Sequence, residues 1–477
     1  MVDFLNNILW SYVLIVGLIG VGIYFSVKTK FAQFRMIKEM IRLLTEGATK
    51  GVKGNKEEKG ITSFQAFCIS TASRVGTGNM AGVALAIAAG GPGAVFWMWM
   101  LALIGSASAF VESTLAQLYK VKDGDAFRGG PAYYMEKALK NRKLGIAFSI
   151  LITVCFGLIF NSVQSNTIAM AFNGSFGISK TVIAVTLAVF TAIIIFGGVK
   201  RIASFVEKVV PVMAICYVVV ATVVIIMNIT QVPAVFGMII EGAFNFKSAA
   251  GGALGAALMQ GIKRGLFSNE AGMGSAPNAA ATATVSHPVK QGLIQALGVF
   301  TDTILICSAT AFIILLSGYQ SLSGDGIQMT QSALSMHIGN FGGVFIAVCI
   351  FLFAFSSVIG NYYYGEANIE FMTDNRLWLQ GYRAAVVMMV LLGGIAGLKV
   401  VWGLADLFMG LMAILNLYAI LKLGPVAFRL LEDYSAQRKQ GLDPILRAET
   451  VADLDGVECW TGSKTALKKV EKKLKTV

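Results

Sequence analysis

Two long apolar segments of the chain are each interrupted near the middle by glycine and polar residues. The first runs from about Thr62 to Gly91 and carries Ser73-Arg74-Val75-Gly76-Thr77-Gly78-Asn79. The second runs from about Ala249 to Val285 and carries Gly265-Leu266-Phe267-Ser268-Asn269-Glu270-Ala271-Gly272-Met273-Gly274. Inside a bilayer no water pairs a free N–H or C=O. A helix broken at that depth therefore persists only where protein, ion or substrate satisfies the freed groups. Two such breaks, at matching places in two halves of one chain, point to the binding site of a secondary transporter.

Composition supplies the membrane. The 477 residues are 56% hydrophobic and only 14% charged, where soluble domains carry roughly one-quarter charged residues. Mean hydropathy is +0.70. The apolar residues fall in runs of about 20, the length that crosses a hydrocarbon core. The expected class is an all-α polytopic membrane protein with about eleven spans: 8–27, 62–91 (broken), 93–119, 144–172, 180–199, 204–228, 249–285 (broken), 288–318, 340–368, 378–398 and 401–423. The stretches 129–139, 231–242 and 328–338 read as short helices outside the spans. The first apolar run follows Asp3 and precedes Lys28 and Lys30, so it lacks the basic leader of a signal peptide and reads as a retained helix.

A net charge of +13 in a soluble chain would suggest nucleic acid. Here the basic residues sit in loops, where they set orientation instead. Nine follow the first span (Lys28, Lys30, Arg35, Lys38, Arg42, Lys50, Lys53, Lys56, Lys59) and seven follow the third (Lys120, Lys122, Arg128, Lys137, Lys140, Arg142, Lys143). The opposite loops offer Lys180, Lys247 and Lys399. The N-terminus is therefore expected outside and the C-terminus in the cytoplasm. The tail from about Leu430, ending in the lysine-rich run Lys464 to Lys475, is expected to be solvated or to touch lipid.

Setting the first helix aside leaves ten spans, of which the broken ones are the first and sixth. Five spans per half is an odd number, so the halves face opposite ways: a five-plus-five inverted repeat. The expected divisions are 1–61 (extra helix and basic loop), 62–228 and 229–423 (the two repeats) and 424–477 (basic tail). One chain then carries both halves of its site, and a monomer is expected.

Six scattered cysteines without a CxxC pair, and two histidines, His287 and His337, offer neither a disulfide framework nor a metal or haem centre. No nucleophile–base pair points to an enzyme.

Within the first break, Gly76 and Gly78 remove side chains where the backbone unwinds. The half-helix that starts there presents N–H groups suited to a carboxylate. The half that ends there frees carbonyls suited to Na⁺ or an ammonium. Small-residue helix packing is the alternative reading of the same motif; Asn79 and the second break favour a site. In the second break Ser268, Asn269 and Glu270 are costly at membrane depth and should face a cavity or a partner. Arg74, Lys263 and Arg264 are possible partners of Glu270, which reads as a structural ion pair holding the unwound segment rather than a proton relay.

Ser356 and Ser357 would ordinarily bond back to their own helix, but two hydroxyls beside free carbonyls also suit Na⁺. Gln164 and Asn166 form a polar stripe that could line the cavity. Tyr362, Tyr363 and Tyr364 read as interface anchors. Glu112, Asp302, Glu366 and Asp406 read as gating or structural acids.

Several stretches resemble a known family. Gly90-Gly91-Pro92-Gly93-Ala94-Val95-Phe96-Trp97-Met98-Trp99 and the run from Gly261 to Pro277 are similar to signatures of the alanine or glycine:cation symporters, as are Gly129 to Met135 and Tyr364-Gly365-Glu366. The resemblance extends from about Tyr24 to Leu423. It implies Na⁺-coupled uptake of alanine and glycine on a LeuT-like fold with one extra N-terminal helix. Val75-Gly76-x-Gly78-Asn79 also resembles the unwound first core helix of the neurotransmitter:sodium symporters.

That wider likeness implies that the amides of Thr77 and Gly78 hold the substrate carboxylate. It further implies that carbonyls near Ala72 and Val75, with Ser356 and Ser357, hold Na⁺. Phe267 would be an aromatic gate and Ser268 a substrate or second-sodium ligand. With Gln164 and Asn269 from the polar stripe and the second break, the expected substrate set is Val75, Thr77, Gly78, Asn79, Gln164, Phe267, Ser268 and Asn269. Arg74 departs from the small residue of the sodium symporters, which leaves a second sodium site open. A channel, or a proton-coupled transporter of the same fold, is the alternative to Na⁺ symport.

Overall fold

The computed structural model describes residues 2–53, 61–124, 126–196, 199–244 and 252–460. Helices dominate; the one hairpin among these residues pairs Val121–Asp123 with Ala126–Arg128. Seven helices are long and apolar enough to cross a membrane: Val2–Lys28, Gly93–Leu118, Arg142–Phe176, Pro288–Leu316, Phe341–Met372, Arg376–Ile395 and Leu398–Lys439. Pro211–Met227 adds an eighth if it is joined to Ile229–Phe244, from which it is bent by 78°. Lys180–Ile195 and the two broken segments supply helices for the remaining expected spans.

Local chemistry sets where the first broken segment begins and stops. Thr62 caps it: its hydroxyl accepts from the Gln65 amide, while the Gln65 side chain accepts from the Thr62 amide, both at 3.1 Å. Ser63–Arg74 is helical, Val75 and Gly76 are not, and the helix resumes at Thr77 to run through Gly78–Gly90. In the second, Gly252–Asn269 stops at an irregular stretch, and only Ala276–Ala280 resumes. Its C-terminal half is shorter than expected. The chain beyond it turns to pair with the start of the first segment, with Thr284 donating to the Ile61 carbonyl at 2.9 Å.

Gly93–Leu118 packs against both Gly252–Asn269 and Pro288–Leu316, and Phe341–Met372 lies along Arg142–Phe176 and Ser63–Arg74. Two of these helices widen to π-helical turns, at Thr153–Phe160 and Phe300–Cys307. Such turns shift the helical phase, re-aim the side chains that follow, and are frequent at functional sites.

Three expectations change. Tyr362 and Tyr364 are fully buried and Tyr363 is 5% exposed, so they are not interface anchors. Tyr362 needs no interfacial water, because its hydroxyl donates to Glu366 at 2.7 Å and accepts from Arg383 at 2.8 Å. The last helix runs on to Lys439 rather than ending near Leu423. The tail as far as residue 460 folds back onto the bundle: Leu446 donates to the Ser286 carbonyl (2.9 Å) and the Trp460 indole to that of Gln117 (3.1 Å). Buried Leu446, Val451, Val457 and Trp460 supply the apolar surface that holds it there. Lys56, Lys59, Lys247 and the run Lys464 to Lys475 lie outside the described residues.

Candidate functional site

The first break begins with one diverted amide. Val75 N still donates to Thr71 O at 2.8 Å, but Gly76 N donates to Asn79 Oδ1 at 2.9 Å instead of continuing the helical ladder. That frees Ala72 O, the carbonyl that Gly76 would have paired in an unbroken helix. Ser357 Oγ reaches across to it at 2.8 Å, and to Val75 O at 3.3 Å. Ala72, Val75 and Ser357 thus bring three oxygens together, a donor set suited to a hard cation such as Na⁺. Ser356 lies beside them, but its hydroxyl donates to Phe353 O of its own helix at 2.8 Å.

The second break is strained and tied to the first. Glu270 has a left-handed backbone, φ 58°, followed by Gly272 and Gly274 at 83° and 88°. The Glu270 carboxylate accepts from Ser275 at 2.5 Å and from Ser73, in the first broken helix, at 2.8 Å. Lys263 and Arg264 do not pair with it. Both lie on the helical turn before the break and reach Asp406 instead, at 3.4 and 2.7 Å. Arg74 is buried and donates to Gln295 O at 3.3 Å. Glu112 braces the far side of the loop, accepting from Gly272 N at 3.2 Å and from Asn416 at 2.7 Å. Glu366 pairs with Arg383 at 2.9 Å.

Asp302 sits between the breaks. Its carboxylate accepts from Asn79 and from Ser268, each at 2.7 Å, and from Thr303 at 3.0 Å. Asn269 joins through Thr303 at 3.2 Å. On the other side Thr77 N donates to Gln164 Oε1 at 3.0 Å. The ring of Phe267 lies between those of Phe160 and Trp402, with centroids 4.5 and 4.7 Å away.

The glycines permit this approach. A Cβ on Gly78 would stand 3.0 Å from both Ser268 Cα and the Phe267 ring, and one on Gly76 would stand 2.3 Å from Ser357 Oγ. Val75, Thr77, Asn79, Ser268 and Asn269 are fully buried, and Gln164 and Phe267 nearly so. Every expected substrate residue therefore lies in one cluster, while Asn166 points away and donates to Gly393 O and Ala396 O.

Chemically, the cluster offers the Asp302 carboxyl oxygens to a cation or ammonium, and backbone amides at a helix start to a carboxylate. Gln164 Oε1 now accepts from one of those amides, so a substrate carboxylate there would displace it. Sequence reasoning read Asp302 only as a gating or structural acid and did not single out Phe160 or Trp402. An acid inside an apolar run was the only available signal; the π-helical turn that aims it at Asn79 has no sequence signature.

The sodium:alanine symporter family matches residues 1–448. Among curated proteins, the chain is 56% identical over 461 residues to the probable sodium/glutamine symporter GlnT of Bacillus subtilis, covering 96% of this chain and 95% of that one. It is 56% identical over 459 residues to the amino-acid carrier protein AlsT of the same organism, covering 96% and 97%. It is 36% identical over 448 residues to the sodium/alanine symporter AgcS of Methanococcus maripaludis, covering 92% and 98%. A crystal structure of a mutant manganese transporter from Eremococcus coleocola superposes with a TM-score of 0.51 over 85% of this chain and 90% of that one. At 13% identity that likeness carries the fold alone, which is LeuT-like.

Proposed function

We propose, from the premise that the chain belongs to the sodium:alanine symporter family, that it takes up alanine and glycine by alternating access. The family carries out sodium-coupled amino-acid symport across a membrane, and the protein is a transporter rather than an enzyme. Na⁺ would bind Ala72 O, Val75 O and Ser357 Oγ, with Ser356 turning from Phe353 to join them. The substrate carboxylate would take the amides of Thr77 and Gly78, exchanging with Gln164. Its ammonium would meet Asp302 and Ser268, flanked by Asn79 and Asn269. A methyl or hydrogen side chain would lie against Phe267, backed by Trp402.

The observation that carries this reading is the contact of the two breaks. Ser73 donates to Glu270, and Gly78 lies so close to Phe267 and Ser268 that a Cβ would crowd both. That contact supports the reading that both broken segments face one buried site, as a lipid environment favours for broken helices. Movement of the repeats 62–228 and 229–423 against each other would expose it to either side. The N-terminus would lie outside and the C-terminus in the cytoplasm, in the plasma membrane.

Glutamine is the second reading, favoured by the 56% identity to the probable sodium/glutamine symporter. Competition against labelled alanine uptake in proteoliposomes separates the two. Unlabelled glycine should compete and glutamine should not. Competition by glutamine, with glycine inert, would assign the larger substrate.

A further inference from the structure

The Val2–Lys28 helix ends in a tight turn. Lys30 and Phe31 both take left-handed backbones, φ 54° and 53°, a conformation that residues with side chains seldom adopt. Bonds from Phe31 N to Ser26 O (2.7 Å) and from Lys30 N to Val27 O (3.0 Å) hold it. The C-terminal part of Leu398–Lys439 runs alongside, and between them lies a groove of about 370 Å³.

Its walls are predominantly basic. Lys28, Lys30 and Arg35 come from the turn and Lys439 from the opposite helix, against a single acid, Glu432. The nearby acids are committed elsewhere: Glu39 and Glu46 to Arg42, Glu39 also to Arg438, and Asp453 to Arg429. Ser435 also lines the groove, and its hydroxyl is buried with no hydrogen-bond partner. The floor is apolar, from Phe428 and Leu431. The first helix, whose end lines the groove, has a bare apolar face: Val16, Ile23 and Val27 are 70%, 49% and 57% exposed.

We propose that this groove holds the headgroup of an anionic phospholipid, its acyl chains lying along that bare face. Four cations and a free hydroxyl match the phosphate oxygens and the net negative charge that phosphatidylglycerol carries and phosphatidylcholine does not. Basic pockets between spanning helices at the cytoplasmic boundary attract such headgroups. The apolar approach is what distinguishes a lipid from a soluble anion: inorganic phosphate would leave it unused. The proposal does not depend on which amino acid is carried.

Native mass spectrometry of the purified full-length protein, titrated with phosphatidylglycerol or phosphatidylcholine, tests it. Wild type should retain one phosphatidylglycerol in preference to phosphatidylcholine. The pairs Lys28→Gln with Lys30→Gln, and Arg35→Gln with Lys439→Gln, should each weaken that binding roughly tenfold to thirtyfold. Lys180→Gln with Lys399→Gln, outside the groove, should leave it unchanged. Equal phosphatidylglycerol retention by wild type and both groove variants would overturn the proposal. Displacement of the lipid by millimolar inorganic phosphate would overturn it too, by making the groove a soluble-anion site.

Discussion

Gly78 packs against the second broken segment, its missing side chain leaving room for Ser268 and Phe267. Valine there should abolish alanine binding while the protein still inserts and stays monodisperse in detergent. A lost charge-assisted hydrogen bond alone costs roughly 1.5–3 kcal/mol, at least about tenfold in affinity, before the steric term. Isothermal titration would read it; unchanged affinity in a well-folded variant would reduce Val75 to Asn79 to a packing motif. The serines separate by geometry. Ser357→Ala should raise the Na⁺ concentration for half-maximal uptake more than Ser356→Ala, because only Ser357 already meets Ala72 O and Val75 O. Equal Na⁺ dependence in wild type and both variants would return the two hydroxyls to helix back-bonding. These residues were visible in the sequence because glycine and serine are conspicuous inside apolar runs. Asp302 was visible as well, but its partners were not: they depend on a π-helical turn and on a neighbour more than two hundred residues away, Asn79.

At the scale of elements, buried carboxylates brace the second break. Glu270 and Glu112 accept from groups on different helices, so each broken piece is held by its neighbours rather than by its own ladder. The sequence marked the break itself, through Gly272 and Gly274, but suggested Lys263 and Arg264 as partners of Glu270; side-chain direction on a helix is set by its phase at the break, and that phase turns both toward Asp406. Outside the membrane, Ile37–Lys53 is fastened to the last helix through Glu39. Burial raises the Glu39 carboxyl, but hydrogen bonds from Arg42 and Tyr434, with the charges of Arg42 and Arg438, outweigh it and lower its pKa from 4.5 to about 2. A lowered folded-state value means stability that is present above about pH 4.5 and lost as pH falls toward about 2. Thermal unfolding in detergent should therefore show a steeper acid loss in wild type than in Glu39→Gln across that window. Equal slopes would remove Glu39 from the fastening.

Across the whole molecule, span lengths and the two breaks foretold a polytopic helical protein with interrupted spans, because a bilayer leaves few choices to backbone polar groups, while the LeuT-like fold was implied by the family resemblance. The packed tail was not foretold: four buried apolar residues, Leu446, Val451, Val457 and Trp460, are scattered in a polar stretch without helical or strand periodicity. Orientation belongs to this scale. Single cysteines introduced near Asn6, at the exposed Asp3, and at Gln440 should be labelled by an impermeant reagent in intact cells at the first position only; labelling of Gln440 from outside would invert the topology.

The most direct measurement is alanine flux into proteoliposomes of purified protein, loaded with alanine above the external concentration. An inward Na⁺ gradient should drive net uptake uphill, and collapsing the gradient should end it. Net movement of alanine only down its own gradient, unchanged by Na⁺, would contradict coupled symport and leave a channel.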